Sequence, residues 1–285
     1  MSLKIAVRLV MSGVALAASL ATGTACAQDA QKVINGATIT SYPPFEFKDP
    51  KSNELTGFDH DLFEAMAKKV GAKVKWHEFS FADLTSFSPL KTGRVDIYAS
   101  GGMLDTPERR EHGVSFIDYV YDSFVFFTLS ANADQFKTPD ALCGKRVAIS
   151  RVQVMASLNK WSEENCTSAG KPALVWVVNE NLPAMELSLK QGRADASVNG
   201  AGSLANSNKE RANIYMTIGK PLSKNIYGMA FLNENKDLGE ALKKALDELI
   251  VDGTYAQLLQ KWGMAVELSS IGQTSSINAG WSLSK

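Results

Sequence analysis

A seven-residue motif occurs twice in this chain, as Leu90-Lys91-Thr92-Gly93-Arg94-Val95-Asp96 and as Leu189-Lys190-Gln191-Gly192-Arg193-Ala194-Asp195, with five of the seven positions identical. In each copy a stretch of helical period runs into a glycine, the residue that best tolerates the left-handed backbone at a helix end, and a short strand-like run follows. The spacing predicts the same helix-to-strand unit in each half of the chain, with strands over 95–99 and 194–198. Both strands lead into loops of small residues, Ser100-Gly101-Gly102 and Asn199-Gly200-Ala201-Gly202. Ligands in open α/β sheets sit beyond the carboxyl ends of strands, so two similar lobes facing each other would place both loops at one crevice.

The rest of the chain follows the same alternation. Runs rich in Val, Ile and Phe are separated by amphipathic stretches of 10 to 16 residues, which is the pattern of an α/β fold. A helix is expected over 58–70, with Phe58, Leu62, Phe63, Met66 and Val70 on one face, Asp59 and Asp61 in the first turn and Gly71 as the stop. A strand should follow over 73–79. Further helices are expected over 237–250 and, after Asp252-Gly253-Thr254, up to Trp262. The Ser-rich tail from Glu267 onward is expected to be extended or loosely docked.

Residues 1–27 have the form of a secretory signal: Lys4 and Arg8, an apolar stretch from Leu9 to Leu20, and Ala25-Cys26-Ala27 as the cleavage site. The apolar stretch is shorter than the ~20 residues needed to span a bilayer. A lipoprotein signal would carry Leu three residues before Cys26, where Gly23 stands. The mature chain would begin near Gln28 with 28 basic and 30 acidic residues, a net charge of −2. With no Lys/Arg tract, it lacks the basic face a nucleic-acid binder needs. Removal of Cys26 leaves Cys143 and Cys166, a single pair in an exported chain, and a disulfide between them is expected. No metal site or cofactor is expected, because His60, His77 and His112 show neither the i, i+4 nor the C-x-x-C spacing of ligand sets. Gly200-Ala201-Gly202-Ser203-Leu204-Ala205 fits the dinucleotide fingerprint formally, but no acidic residue follows over 217–224 to hold a ribose.

Four stretches resemble the periplasmic solute-binding proteins of polar amino-acid ABC importers, the bacterial extracellular solute-binding proteins of family 3. They are Tyr42-Pro43-Pro44-Phe45-Glu46-Phe47, Leu55-Thr56-Gly57-Phe58-Asp59-His60-Asp61-Leu62, Thr106-Pro107-Glu108-Arg109, and Asp252-Gly253-Thr254-Tyr255 with Lys261-Trp262-Gly263. They occur in order across nearly the whole mature chain. The resemblance implies an α/β fold of two Rossmann-like lobes joined by two hinge strands, the type II periplasmic binding protein fold. Lobe 1 would comprise 28–126 and the return segment 227–285, and lobe 2 would comprise 127–226. It also implies a monomer in the periplasm that delivers its solute to an inner-membrane ABC permease.

The resemblance further implies ligand-binding roles. Thr106-Pro107 looks like a helix start whose free N–H groups and Arg109 could converge on an anion, and in the family this arginine grips the ligand carboxylate, a task suited to its planar fork. Tyr42 and Phe81 match aromatic positions that sandwich the ligand side chain. The loop residues Ser100, Gly101, Gly102 and Met103, with Arg151, Gln153 and Asn199 from the second lobe, complete the expected ligand set. Some positions depart from the family. Gly200 stands where amino-acid binders carry an aspartate for the ligand ammonium, Ile39 replaces a second acid, and Val152-Gln153-Val154 follows Ser150-Arg151 in place of a Gly-Thr-Thr or Gly-Ser-Thr loop. An unpaired buried ammonium is costly, so these departures suit an organic acid, or an amino acid whose ammonium is held by another group such as Glu46. The alternative from another class is a cleft enzyme on the same scaffold, like cyclohexadienyl dehydratase. That chemistry needs a positioned acid and base, and the expected loops show no paired carboxylate or His/Asp constellation.

Overall fold

A computed structural model of the chain describes residues 32–99, 103–150, 155–211 and 213–280. Strands β1 (Lys32–Thr38), β2 (Ser41–Tyr42), β3 (Glu46–Lys48), β4 (Leu55–Thr56), β5 (Ala72–Glu78), β6 (Ile97–Tyr98) and β7 (Val114–Leu129) come from the first half. The second half supplies β8 (Arg146–Ile149), β9 (Val175–Val178), β10 (Ala196–Gly200), β11 (Tyr215–Leu232) and β12 (Ser276–Ile277). Among the described residues the main sheet runs β5-β1-β6-β11-β7-β10-β8-β9, with β12 also paired to β7. Strands β2, β3 and β4 form a small separate sheet.

Two lobes arise because β7 and β11 are long enough to serve both. The end of β11, from Ile226 to Leu232, pairs with the start of β7 beside β6, β1 and β5. Its start, from Tyr215 to Ile218, pairs with the end of β7, which also carries β10, β8 and β9. The register breaks between Ile218 and Ser223, so these two antiparallel strands pass between the lobes as the hinge pair of a type II periplasmic binding protein fold.

The repeated motif folds alike in both lobes. Gly93 and Gly192 both have φ 67°, their N–H groups donate to Leu90 and Leu189, and the next two N–H groups return to Pro89 or Ser188. Each copy then lays a parallel strand beside the lobe's first strand, β6 on β1 and β10 on β8. The first of these strands is shorter than expected, with two residues against five for β10.

The expected helices form over Phe58–Lys69, Lys236–Val251 and Thr254–Lys261. Asp59 and Asp61 stand in the first turn as expected, and Asp59 is also fully buried and accepts a hydrogen bond from the Tyr119 hydroxyl at 2.8 Å. Burial, with Asp59 alongside, pushes that phenol well above its ordinary pKa. The tail is also docked far more tightly than its composition suggests. Ser275 bonds Asp247, β12 extends the β7 edge, and Asn278 accepts from the Phe116 N–H at 2.8 Å. The Ala279 and Gly280 N–H groups then donate to the buried Asp118 and Asp105 at 3.0 and 2.9 Å, and Arg110 forks onto Asp105 at 2.6 and 2.7 Å. In lobe 2 the structure pairs Cys143 with Cys166, their Cα atoms 5.5 Å apart.

Candidate functional site

A cleft of about 720 Å³ opens between the lobes. Lobe 1 lines it with Ile39, Thr40, Ser41 and Tyr42, which follow β1, and with Phe79, Ser80, Phe81, Ala82 and Thr85, which follow β5. Lobe 2 lines it with Ser150 and with Val178 to Leu182, which follow β8 and β9. Every lining segment thus lies at or beyond the carboxyl end of a parallel strand, where an open α/β sheet presents free backbone groups. Two helix starts fix these segments. Ser80 and Asp83 form a reciprocal capping box that positions Phe81, and Asn181 caps the helix Leu182–Lys190 through the Ala184 N–H at 3.0 Å.

A buried knot of aromatic and polar side chains lies at the hinge end of the cleft. The Tyr42 and Phe45 rings stack at 5.3 Å, and Tyr227 from β11 meets Phe45 edge-on at 5.4 Å. The Tyr42 and Tyr227 hydroxyls lie 3.1 Å apart, and the Tyr42 hydroxyl reaches Asn199 Oδ1 at 3.5 Å. Asp122, from β7, accepts from the Tyr227 hydroxyl at 3.3 Å and from the N–H groups of Ser123 and Gly202 at 2.8 and 3.2 Å. This knot joins both lobes and both hinge strands.

The expected ligand residues separate into three groups. Tyr42 and Phe81 line the cleft as expected. Met103, Arg109 and Asn199 are buried and are not among the described residues that line it. Arg109 is 8% exposed and donates from Nη1 to the Leu104 carbonyl at 2.6 Å. Leu104 bridges to Tyr227, and the Met103 carbonyl accepts from the Gly228 N–H at 2.8 Å, so the Arg109 segment lies directly against the hinge strand that carries Tyr227. Thr106 caps the turn as expected, but its hydroxyl takes the Arg109 N–H itself, so that group is not open to an anion. Ser100, Gly101, Gly102, Arg151 and Gln153, like the expected signal segment 1–27, lie outside the described residues.

Glu46 is not among the described residues that line the cleft. It is 1% exposed on β3, near enough to the Asp59–Tyr119 pair to help raise the Tyr119 phenol. Asp122, Tyr227 and Phe45 escaped the sequence reading, as did Asn179, Glu180 and Asn181 of the lobe 2 lining. One signal was available: Asp118, Asp122 and Ser123 interrupt a run, Phe116 to Phe127, whose other residues are aromatic or aliphatic and which is too hydrophobic to carry solvated acids on a strand.

Comparison with known proteins agrees with this architecture. Residues 34–265 match the family of bacterial extracellular solute-binding proteins, family 3. The chain belongs to that family. This solute-binding protein is 34% identical over 230 residues to a probable histidine-binding protein of Campylobacter jejuni, covering 79% of this chain and 82% of that one. Among solved structures it is similar to an ancestral arginine-binding protein bound to arginine, with 30% identity, a TM-score of 0.69, and coverage of 81% and 97%. An ancestral amino acid-binding protein described as a precursor of cyclohexadienyl dehydratase gives 27% identity, a TM-score of 0.68, and coverage of 81% and 95%.

Proposed function

We propose that the protein captures a small carboxylate-bearing solute, an amino acid or a related organic acid, in the inter-lobe cleft and delivers it to an ABC import permease. The observation that carries this reading is the cleft itself, lined by strand ends of both lobes and closed at its base by a knot tied to two hinge strands. A ligand touching both linings interacts more strongly with the closed arrangement, and that differential is what drives closure. The names of the relatives, histidine-binding and arginine-binding, support an amino acid. The related precursor of a dehydratase is itself an amino acid-binding protein, which favours a binder over an enzyme.

In this reading the protein works as a periplasmic monomer released from the signal at 1–27, with a disulfide formed there between Cys143 and Cys166. Lobe 1 comprises 28–126 and 227–285, and lobe 2 comprises 127–226. Arg109 takes the carboxylate, Tyr42 and Phe81 flank the solute side chain, and Ser100, Gly101, Gly102, Arg151 and Gln153 complete the contacts. A thermal-shift screen of the mature protein against L-amino acids, dicarboxylates and aromatic acids tests this. A ligand at 100 times its Kd adds about 2.7 kcal/mol to stability when it binds only the folded form. The Arg109→Ala variant should lose the shift for every carboxylate, and survival of the shift would remove Arg109 from the ligand site. Consumption of a prephenate-like acid during the screen would favour the enzyme.

A further inference from the structure

In lobe 2, Gly200 stands where amino-acid binders of the family carry an aspartate. The geometry there accounts for the glycine. A Cβ built on Gly200 would overlap Oδ2 of Asp122 and come within 2.6 Å of the Tyr42 hydroxyl. The space that a residue 200 side chain would fill is therefore already filled by the Asp122 carboxylate, delivered from β7, 78 residues earlier in the chain. The two positions exclude each other: a side chain at 200 and an aspartate at 122 cannot both be present without displacing one.

We infer that Asp122 is the carboxylate that receives the ammonium group of an amino-acid solute, taking over at the hinge the place that Gly200 leaves open in lobe 2. The inference rests on the amino-acid reading proposed above. Three further observations support it. The Ser123 and Gly202 N–H groups both donate to Oδ1, which fixes the carboxylate with Oδ2 turned toward the two tyrosine hydroxyls and Gly200. The neighbouring Tyr42 lines the cleft, so a ligand resting on that ring lies beside the carboxylate. Asn199 is 2% exposed, and its amide Nδ2 has no hydrogen-bond partner among the described residues while its Oδ1 faces the Tyr42 hydroxyl. A buried amide donor without a partner beside a carboxylate and two phenols suits a zwitterionic head group, which offers an acceptor and a donor side by side.

This assignment changes how closure works. An ammonium acceptor on a lobe 2 loop would reach the ligand only when the lobes close, whereas Asp122 sits on a hinge strand opposite Asn225 of β11, at the junction of the lobes. Its grip contributes to affinity in open and closed forms alike and adds little to the differential that drives closure.

Titration calorimetry on the mature protein tests the assignment, using the amino acids that shift the wild type, with L-histidine and L-arginine first, against their des-amino analogues imidazolepropionate and 5-guanidinovalerate. The Asp122→Asn variant should lose roughly 10- to 100-fold in affinity for the amino acid, the loss expected for one charge-assisted hydrogen bond, and change by less than about 3-fold for the des-amino acid. The double exchange Asp122→Gly with Gly200→Asp, which returns the carboxylate to the same volume from the other strand, should recover at least about 10-fold of the loss. An unchanged amino-acid affinity in Asp122→Asn, or an equal loss for both ligands, overturns the inference while leaving the proposed function intact. If no amino acid binds the wild type, the inference fails, and binding of an organic acid instead leaves the proposed function standing. Should Asp122→Asn not fold, a crystal structure of the wild type with its amino acid decides instead: ammonium within about 3.2 Å of Asp122 supports the assignment, and ammonium held elsewhere overturns it.

Discussion

The two copies of the repeated motif end on an aspartate that does the same job with different partners. Asp96 accepts from the backbone N–H and side-chain amide of Asn35 at 2.7 and 3.1 Å, bracing β6 to β1. Asp195 accepts from the backbone N–H of Arg146 at 2.9 Å and from its guanidinium at 2.7 and 3.1 Å, bracing β10 to β8. The first brace is neutral on its donor side, and Ile34, Ala37, Ile97 and Tyr98 of the two strands it joins are buried. The second is an ion pair in a lobe whose edge strand β9 leaves Val175 and Val178 more than half exposed. The comparison shows that the motif sets the topology of each lobe, while the groups around it set how each lobe is held together. Lobe 1 is held in part by its docked tail, and lobe 2 by the bridge between Cys143 and Cys166.

The sharpest way to break the comparison is to cut that tie. Replacing Cys143 and Cys166 together by Ser should cost roughly 3 kcal/mol, because the bridge closes a loop of 23 residues in the unfolded chain. Hydrogen exchange should show the loss in β8 and β9 with β1 and β5 still protected. Equal loss in both lobes would mean that their stabilities are not separable.

Two carboxyls, one in each lobe, should give pH responses of opposite sign. In lobe 1, burial and the adjacent Asp105 push the Asp118 carboxyl up to about 8. Folding then takes up a proton between the ordinary aspartate pKa of about 4 and pH 8, so its contribution weakens as pH rises across that window. Asp118→Asn mimics the protonated acid and should flatten the dependence, gaining roughly 1–2 kcal/mol over the wild type at pH 8 in denaturant melts. In lobe 2, hydrogen bonding from Arg146 holds the Asp195 carboxyl below its usual range. That contribution is present above about pH 4 and is lost as pH falls through the lowered value.

The smallest effects separate the two braces directly. Asp96→Ala should cost about 1–1.5 kcal/mol, since it strips two hydrogen bonds from partly buried donors of Asn35. Asp195→Ala should cost about half as much, because Arg146 is exposed and water replaces the lost partner. The reverse order, measured by urea unfolding at pH 7, would show that the ion pair rather than the core holds its lobe.

The sequence made the two-lobe plan legible because the repeat, the helix stops at Gly93 and Gly192, and the amphipathic faces are local patterns that need no knowledge of distant contacts. Tyr42 and Phe81 were legible only through the resemblance to the family, because by themselves both read as core aromatics. What could not be read was anything assembled across the chain. The sequence carries no acid at position 200, while the structure brings Asp122 to that place from another strand. Tyr227 and Glu180 reach the site through strand register and lobe packing, and the tail docks through single N–H groups of Ala279 and Gly280 that composition does not announce.

The central claim is that one solute is held by both lobes at once. Hydrogen–deuterium exchange of the mature protein, with and without the amino acid giving the largest thermal shift, tests it most directly. The account predicts that saturating ligand protects 39–42 and 79–85 of lobe 1 together with 178–182 of lobe 2, at the same half-saturation concentration. Protection confined to one lobe, or appearing in the two lobes at different concentrations, would contradict it.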